Sequence, residues 1–187
     1  MIPDLRYLVH PIPFVEVAQM ATVRIVLTVL ALGLMLSACQ SRTLVKSEID
    51  NRFNTPTDNL VTGGPPSKKE LSQLKEAGIT KIIDPRSPDE ERAFDERAEA
   101  EKLGLEYVSL PVAGSAGVTR ENARELDQLL QDGENVFLHC ASGNRVGALL
   151  AIRAHEIQEK DLDQSLEFGR AAGLGSLEEK VRSVLSE

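Results

Sequence analysis

Tryptophan is missing from this chain of 187 residues, and aromatic residues together make up only 4% of it. Proteins that hold single-stranded nucleic acid stack bases on such rings, and those that hold duplexes carry a surplus of cations. With a formal charge of −8, neither mode is expected, and no nucleic-acid partner is. Histidine is scarce too: His10, His139 and His155 are scattered, without the spacing of a metal-ligand set, so no metal and no organic cofactor is expected. Cysteine is scarcer still, with Cys39 and Cys140 alone. The longest apolar run, residues 25–38, is too short to cross a bilayer comfortably.

That run has a different use. From Met20 the chain reads MATVRIVLTVLALGLMLSACQ: Arg24 is a positive start, residues 25–38 an apolar core, and small residues precede Cys39. This is the pattern of a secretory signal. The tetrapeptide Leu36-Ser37-Ala38-Cys39 resembles the bacterial lipobox, whose cysteine becomes the lipidated first residue. The polar Gln40 after it implies, by the same resemblance, sorting to the outer membrane, with the protein on its periplasmic face. Residues 1–19 read as an upstream extension, 20–38 as the signal, 39–57 as a lipidated tether, and 58–187 as one domain. Lipid on Cys39 would leave Cys140 without a disulfide partner in an oxidising compartment, where a lone thiol is either buried and inert or kept for its chemistry.

Strand and helix signals alternate through the domain. Asn59–Thr62, Ile79–Asp84, Leu105–Leu110 and Val136–His139 are short β-prone runs. Ser67-Lys68-Lys69-Glu70 is a capping box opening a helix that Gly78 stops, and Ser87-Pro88-Asp89-Glu90 opens a second, charged helix reaching residue 102. Thr119 caps a third, with Ala123, Leu126, Leu129 and Leu130 on its apolar side. Helices over Val146–Glu159, Leu162–Ala172 and, after a Ser176 box, Leu177–Leu185 complete the chain. Such alternation predicts an α/β domain: a central, mainly parallel sheet of four to five strands with helices on both faces. Ligands in such folds sit beyond the carboxyl ends of the strands.

Cys140 stands at such an end. After the run FLH come Cys140, Ala141, Ser142, Gly143, Asn144 and Arg145, and then a helix. Small, turn-tolerant residues let successive amides converge on one centre, and the helix adds the positive end of its dipole. The array favours a nucleophilic thiolate, and Arg145 can fork onto phosphate oxygens. A strand cysteine before a glycine turn is by itself often a packed core thiol; cysteine, glycine, arginine and helix in this order argue for a site that handles anions or sulfur. His139 alternates away from Cys140 and reads as hydrogen-bonding support. His155 and the charged helix 89–102 read as surface. Asp84-Pro85-Arg86 ends another strand, where it can reach the same edge.

This loop resembles that of the cysteine-dependent phosphatases of the tyrosine and dual-specificity type. The domain as a whole resembles a bacterial family, the phosphatase-like domain of beta-lactamase-hydrolase-like proteins. The matching stretches are Gly64-Pro65-Pro66-Ser67, Ala77-Gly78-Ile79, Asp84-Pro85-Arg86, Gly104–Tyr107, Leu110-Pro111-Val112, His139–Arg145 and Ala172-Gly173-Leu174. The resemblance implies a tyrosine-phosphatase-like fold and hydrolysis of a phosphomonoester through a thiophosphate on Cys140. Arg145 and the amides of residues 141–145 would bind the phosphate of a small-molecule, lipid or protein substrate. Three departures stand out. Four residues separate Cys140 from Arg145, one fewer than in well-studied tyrosine phosphatases and as many as in rhodaneses. Val146 follows the arginine where a hydroxyl is usual. The stretch Pro111–Gly117, which should carry the acid that protonates the leaving group, holds no carboxylate. Asp84 or Glu121 is left to supply one. A rhodanese-like sulfurtransferase and a weakly active phospho-ligand-binding pseudophosphatase are the alternatives.

Overall fold

Val136–His139 is wholly buried, as a four-residue apolar run must be if it is to be a strand flanked on both sides. In the computed structural model, which describes Ile49, residues 51–130 and residues 134–186, this strand is the middle of a five-stranded sheet. The strands are β1 (Asn54–Thr57), β2 (Leu60–Gly63), β3 (Lys81–Asp84), β4 (Glu106–Ser109) and β5 (Val136–His139), and the helices α1 (Lys68–Glu76), α2 (Glu96–Lys102), α3 (Arg120–Leu129), α4 (Asn144–Glu156), α5 (Leu162–Ala171) and α6 (Glu178–Ser186). The strand order is β1-β2-β5-β3-β4. β2, β5, β3 and β4 run parallel, and β1 pairs antiparallel at the edge. The expected α/β architecture is therefore present. Extension, signal, Cys39 and most of the tether lie outside the described residues. No helix among the described residues is long and apolar enough to cross a membrane.

Alternation along β5 divides the core in two. Leu138 and Cys140 face one side with Ile83, Leu126, Leu149, Ile152, Leu166 and Val181, which come chiefly from α3 to α6. Phe137 faces the other with Ile82, Leu71, Leu74, Ala100 and Leu105, so α1 and α2 cover that face. Phe53 closes the second layer edge-on against Phe137, ring centroids 4.9 Å apart. Residues 54–57, read as tether, add the edge strand β1; three of its four residues are exposed, so alternation gave no sign of it.

Local chemistry explains where the helices begin. Ser67 and Glu70 form the expected reciprocal box at α1. Thr119 and Asp161 cap α3 and α5 through side-chain oxygens. The second helix differs from expectation: it starts at Glu96, behind the Asp95 cap, rather than at Ser87. Ser87–Glu90 is a closed turn instead, with the Glu90 amide donating to Ser87 O at 3.1 Å. The physical reason is Arg92, whose guanidinium donates to the carbonyls of Ser87, Pro88 and Glu90. Those acceptors, needed by the amides of a growing helix, are taken. Ser176, expected to cap the last helix, accepts instead from Asn144 Nδ2 at 2.8 Å.

Candidate active site

β5 delivers Cys140 to the rim of the sheet, where its amide donates to Gly63 O of the neighbouring strand at 3.2 Å. The chain then has to reverse within three residues to enter α4. Gly143 makes this possible by adopting φ +86°, a left-handed conformation that side chains disfavour. A Cβ at Gly143 would also lie 3.4 Å from the Gly63 backbone. The turn brings the Gly143 amide 3.2 Å from Cys140 Sγ. The loop thus lies against the sulfur at the positive end of a 13-residue helix. Cys140 itself is 1% exposed, buried behind this loop. Val146, in the place of the usual hydroxyl, points into the aliphatic core.

Asn144 turns its side chain away from the sulfur. Its Oδ1 accepts from the Gly175 amide at 2.8 Å and its Nδ2 donates to Ser176. It therefore ties the loop to the segment before α6.

Arg145 joins three loops. Nη1 donates to Val112 O at 2.8 Å, to Pro85 O at 3.4 Å and to Glu90 Oε1 at 2.6 Å, while Nη2 donates to Glu90 Oε2. Glu90 thus holds one edge of the guanidinium through a fork. Its hydrogen bonds from Arg145 outweigh partial burial and hold the Glu90 carboxyl below the usual carboxylate range. The same bonds raise Arg145 against its partial burial. Arg145, Ser142, Glu90, Asp89, Ser87 and Ser115 line a cleft of about 500 Å³.

Asp84 lies elsewhere. It is completely buried under the 85–92 loop, accepting two side-chain bonds from Arg86 at 2.9 Å, one from Tyr107 Oη at 2.6 Å and one from Arg92 at 3.3 Å. Burial alone would raise its carboxyl; the Arg86 bonds, the pull of the His139 ring and the Tyr107 hydroxyl prevail and hold it at about 2. Arg86 also donates to Glu96, and Glu96 Oε1 meets His139 Nε2 at 2.7 Å. His139 is thus a buried support, stacked on Phe137 at 5.1 Å, with Nδ1 unpartnered among the described residues. Asp84, Glu96 and His139 carry donor atoms within 4.8 Å of one another, but a guanidinium already answers both carboxylates. A depressed carboxyl contributes stability that is complete above its ordinary value of 3.8 and is lost as pH falls towards about 2. Asp84→Asn should therefore cost about 2 kcal/mol at pH 7 and flatten the fall in stability between pH 4 and 2, as read from denaturant midpoints across that range.

Sequence reasoning missed Glu90 and Asp89. Both sit in what read as a solvated helix, and Glu90 reaches Arg145 across 55 residues. Of the residues expected to act, Cys140, Ser142, Gly143 and Arg145 come together; Asp84 and His139 form a separate buried network that supports the 85–92 loop. Glu121, exposed on α3, is not among the residues lining the cleft.

Comparison with known proteins gives a family and a fold. Residues 34–181 match a family described as a DSP-PTPase phosphatase fused to NAD+ kinase. A beta-lactamase hydrolase-like protein of Agrobacterium fabrum is 27% identical over 124 residues, which are 62% of this chain and 28% of the relative's length. The chain thus spans little more than a quarter of that protein. Among solved structures, a provisionally assigned phosphatase of Neisseria meningitidis superposes with a TM-score of 0.60 at 20% identity, covering 70% of this chain and 96% of the other. The P. aeruginosa protein TpbA, solved in complex with pTyr, gives 0.50 at 20% identity, covering 69% and 78%. These likenesses share the fold.

Proposed function

The chain belongs to the family of DSP-PTPase phosphatases fused to NAD+ kinase, and from that premise we propose a phosphomonoester hydrolase that works through a thiophosphate on Cys140. The observation that carries this reading is the Gly143 amide on the Cys140 sulfur, beside a guanidinium gripped by Glu90 along one edge. Cys140 Sγ attacks phosphorus, and the phosphoryl oxygens fall among the amides of residues 141–145. Arg145 turns its unclamped edge to them and stabilises the charge of the transition state. Water then attacks the thiophosphate and phosphate departs. Donors fixed before substrate arrives need no reorganisation during the reaction, and Glu90 supplies that fixation for Arg145.

The cleft lining supports a small, polar ester. Three serines, an asparagine and three charged residues are among those that line it, and no aromatic ring is there to sandwich a phosphotyrosine. Sugar, inositol or lipid-headgroup monophosphates fit this surface better than a phosphotyrosine peptide. The motif ending in Cys39 supports anchoring by lipid at the periplasmic face of the outer membrane, close to the last of these.

Purified protein assayed with an aryl phosphate, and separately with thiosulfate and cyanide, tests the reading. Phosphate release blocked by vanadate is expected; thiocyanate without phosphate would replace the hydrolase by a sulfurtransferase.

A further inference from the structure

Cleavage of an alkyl phosphate leaves an alkoxide, which departs slowly unless an acid hands it a proton. The segment Ala113-Gly114-Ser115 does line the cleft, yet it carries no carboxyl. Asp84 is held at about 2 and fully buried. Glu121 is not part of the cleft. Of the two carboxyls that line it, Glu90 is committed to Arg145 through both oxygens and is held low by those bonds. Asp89 is the other. It is exposed to the cleft and, among the described residues, makes no hydrogen bond or ion pair.

Resting on the hydrolase reading above, we infer that Asp89 is the general acid. Its setting suits the task, because a proton donor on a loop must be held in place to act. Pro88 fixes the backbone before it. The turn is closed from inside by the Glu90 amide on Ser87 O and by the Ser87 amide on Glu90 Oε1 at 2.8 Å. Arg92 binds three of its carbonyls from outside and is itself tied to Asp84 at 3.3 Å. The buried Asp84 network thus serves catalysis by anchoring the turn that presents Asp89 and, through Glu90, Arg145.

In the first step the Sγ–P bond forms, the P–O bond to the alcohol breaks, and the Asp89 proton passes to the departing oxygen. In the second, water loses a proton to the Asp89 carboxylate and attacks phosphorus. The Sγ–P bond breaks, and phosphate, thiolate and carboxylic acid are restored.

The test compares kcat/KM for an alkyl phosphate and for 2,4-dinitrophenyl phosphate, whose leaving group needs no proton, in wild type and Asp89→Asn. Because kcat/KM reports the step up to P–O cleavage, the substitution should shift the ratio of the two values about a hundredfold against the alkyl ester, with Asp89→Glu recovering part of it. An equal fall with both esters, or no fall with either, overturns the assignment alone. Wild-type protein that cleaves only the dinitrophenyl ester overturns it too. Wild-type protein inert towards both overturns the hydrolase reading and the assignment with it.

Discussion

Cys140→Ser should abolish phosphate release, by a factor of about 10⁴ or more, while the protein keeps its fold and its affinity for phosphate. The nucleophile decides this. A serine hydroxyl in the same cradle is almost wholly protonated at neutral pH, and among the described residues no base adjoins the Cys140 sulfur, which accepts from the Gly143 amide. A thiol gives up its proton and attacks phosphorus far more readily than an alcohol does. The fold should survive because serine is nearly isosteric with cysteine and its oxygen can accept the same Gly143 amide. Steady-state release of phosphate from an ester, alongside the circular dichroism melt, reads both halves. Turnover within tenfold of wild type would remove the thiol from the mechanism.

Arg145→Lys should be nearly as damaging, lowering kcat/KM about a thousandfold, despite keeping the charge. Lysine offers a single ammonium where arginine offers a planar fork. Arg145 spends one edge on Glu90, Val112 O and Pro85 O and keeps the rest for the substrate. An ammonium cannot do both. Losing one oriented donor in an oxyanion site costs about 10² to 10³ in rate, and here the same substitution also releases the 85–92 turn. The melting temperature should therefore fall as well, because Glu90 loses its fork and the Val112 and Pro85 carbonyls lose a donor. Glu90→Gln, which keeps one acceptor, should fall between wild type and Arg145→Lys in both measurements.

Both expectations concern residues that the sequence already marked, and the reason is local. Val136–His139, the small-residue turn and the helix behind it are adjacent in the chain, so apolar run, glycine and helix pattern together announce strand, reversal and dipole. β5 has the bounds that its run of apolar residues predicts. The rest of the site is not local. Glu90 and Arg145 lie 55 residues apart, and no periodicity links them. Glu96 is only 3% exposed, yet in a segment rich in charge it is indistinguishable from a solvated helical face; its burial comes from pairing with Arg86 and His139 across the end of the sheet. The false helix start at Ser87 has the same origin. Ser-Pro-Asp-Glu is a sound helix opening until Arg92 captures the carbonyls that propagation requires. β1 went unread because an edge strand with mainly exposed side chains has almost no hydrophobic pattern to show.

The account turns on a sulfur that is enclosed yet reactive. Cys140 is the sole cysteine among the described residues, so its alkylation by iodoacetamide can be followed by mass in protein whose Cys39 has been replaced by serine. Rates at pH 7, with and without phosphate, measure access to the sulfur and anion binding beside it together. Labelling of the folded protein that millimolar phosphate suppresses is expected. Labelling that proceeds only after denaturation and ignores phosphate would mark Cys140 as an inert core thiol and contradict the mechanism.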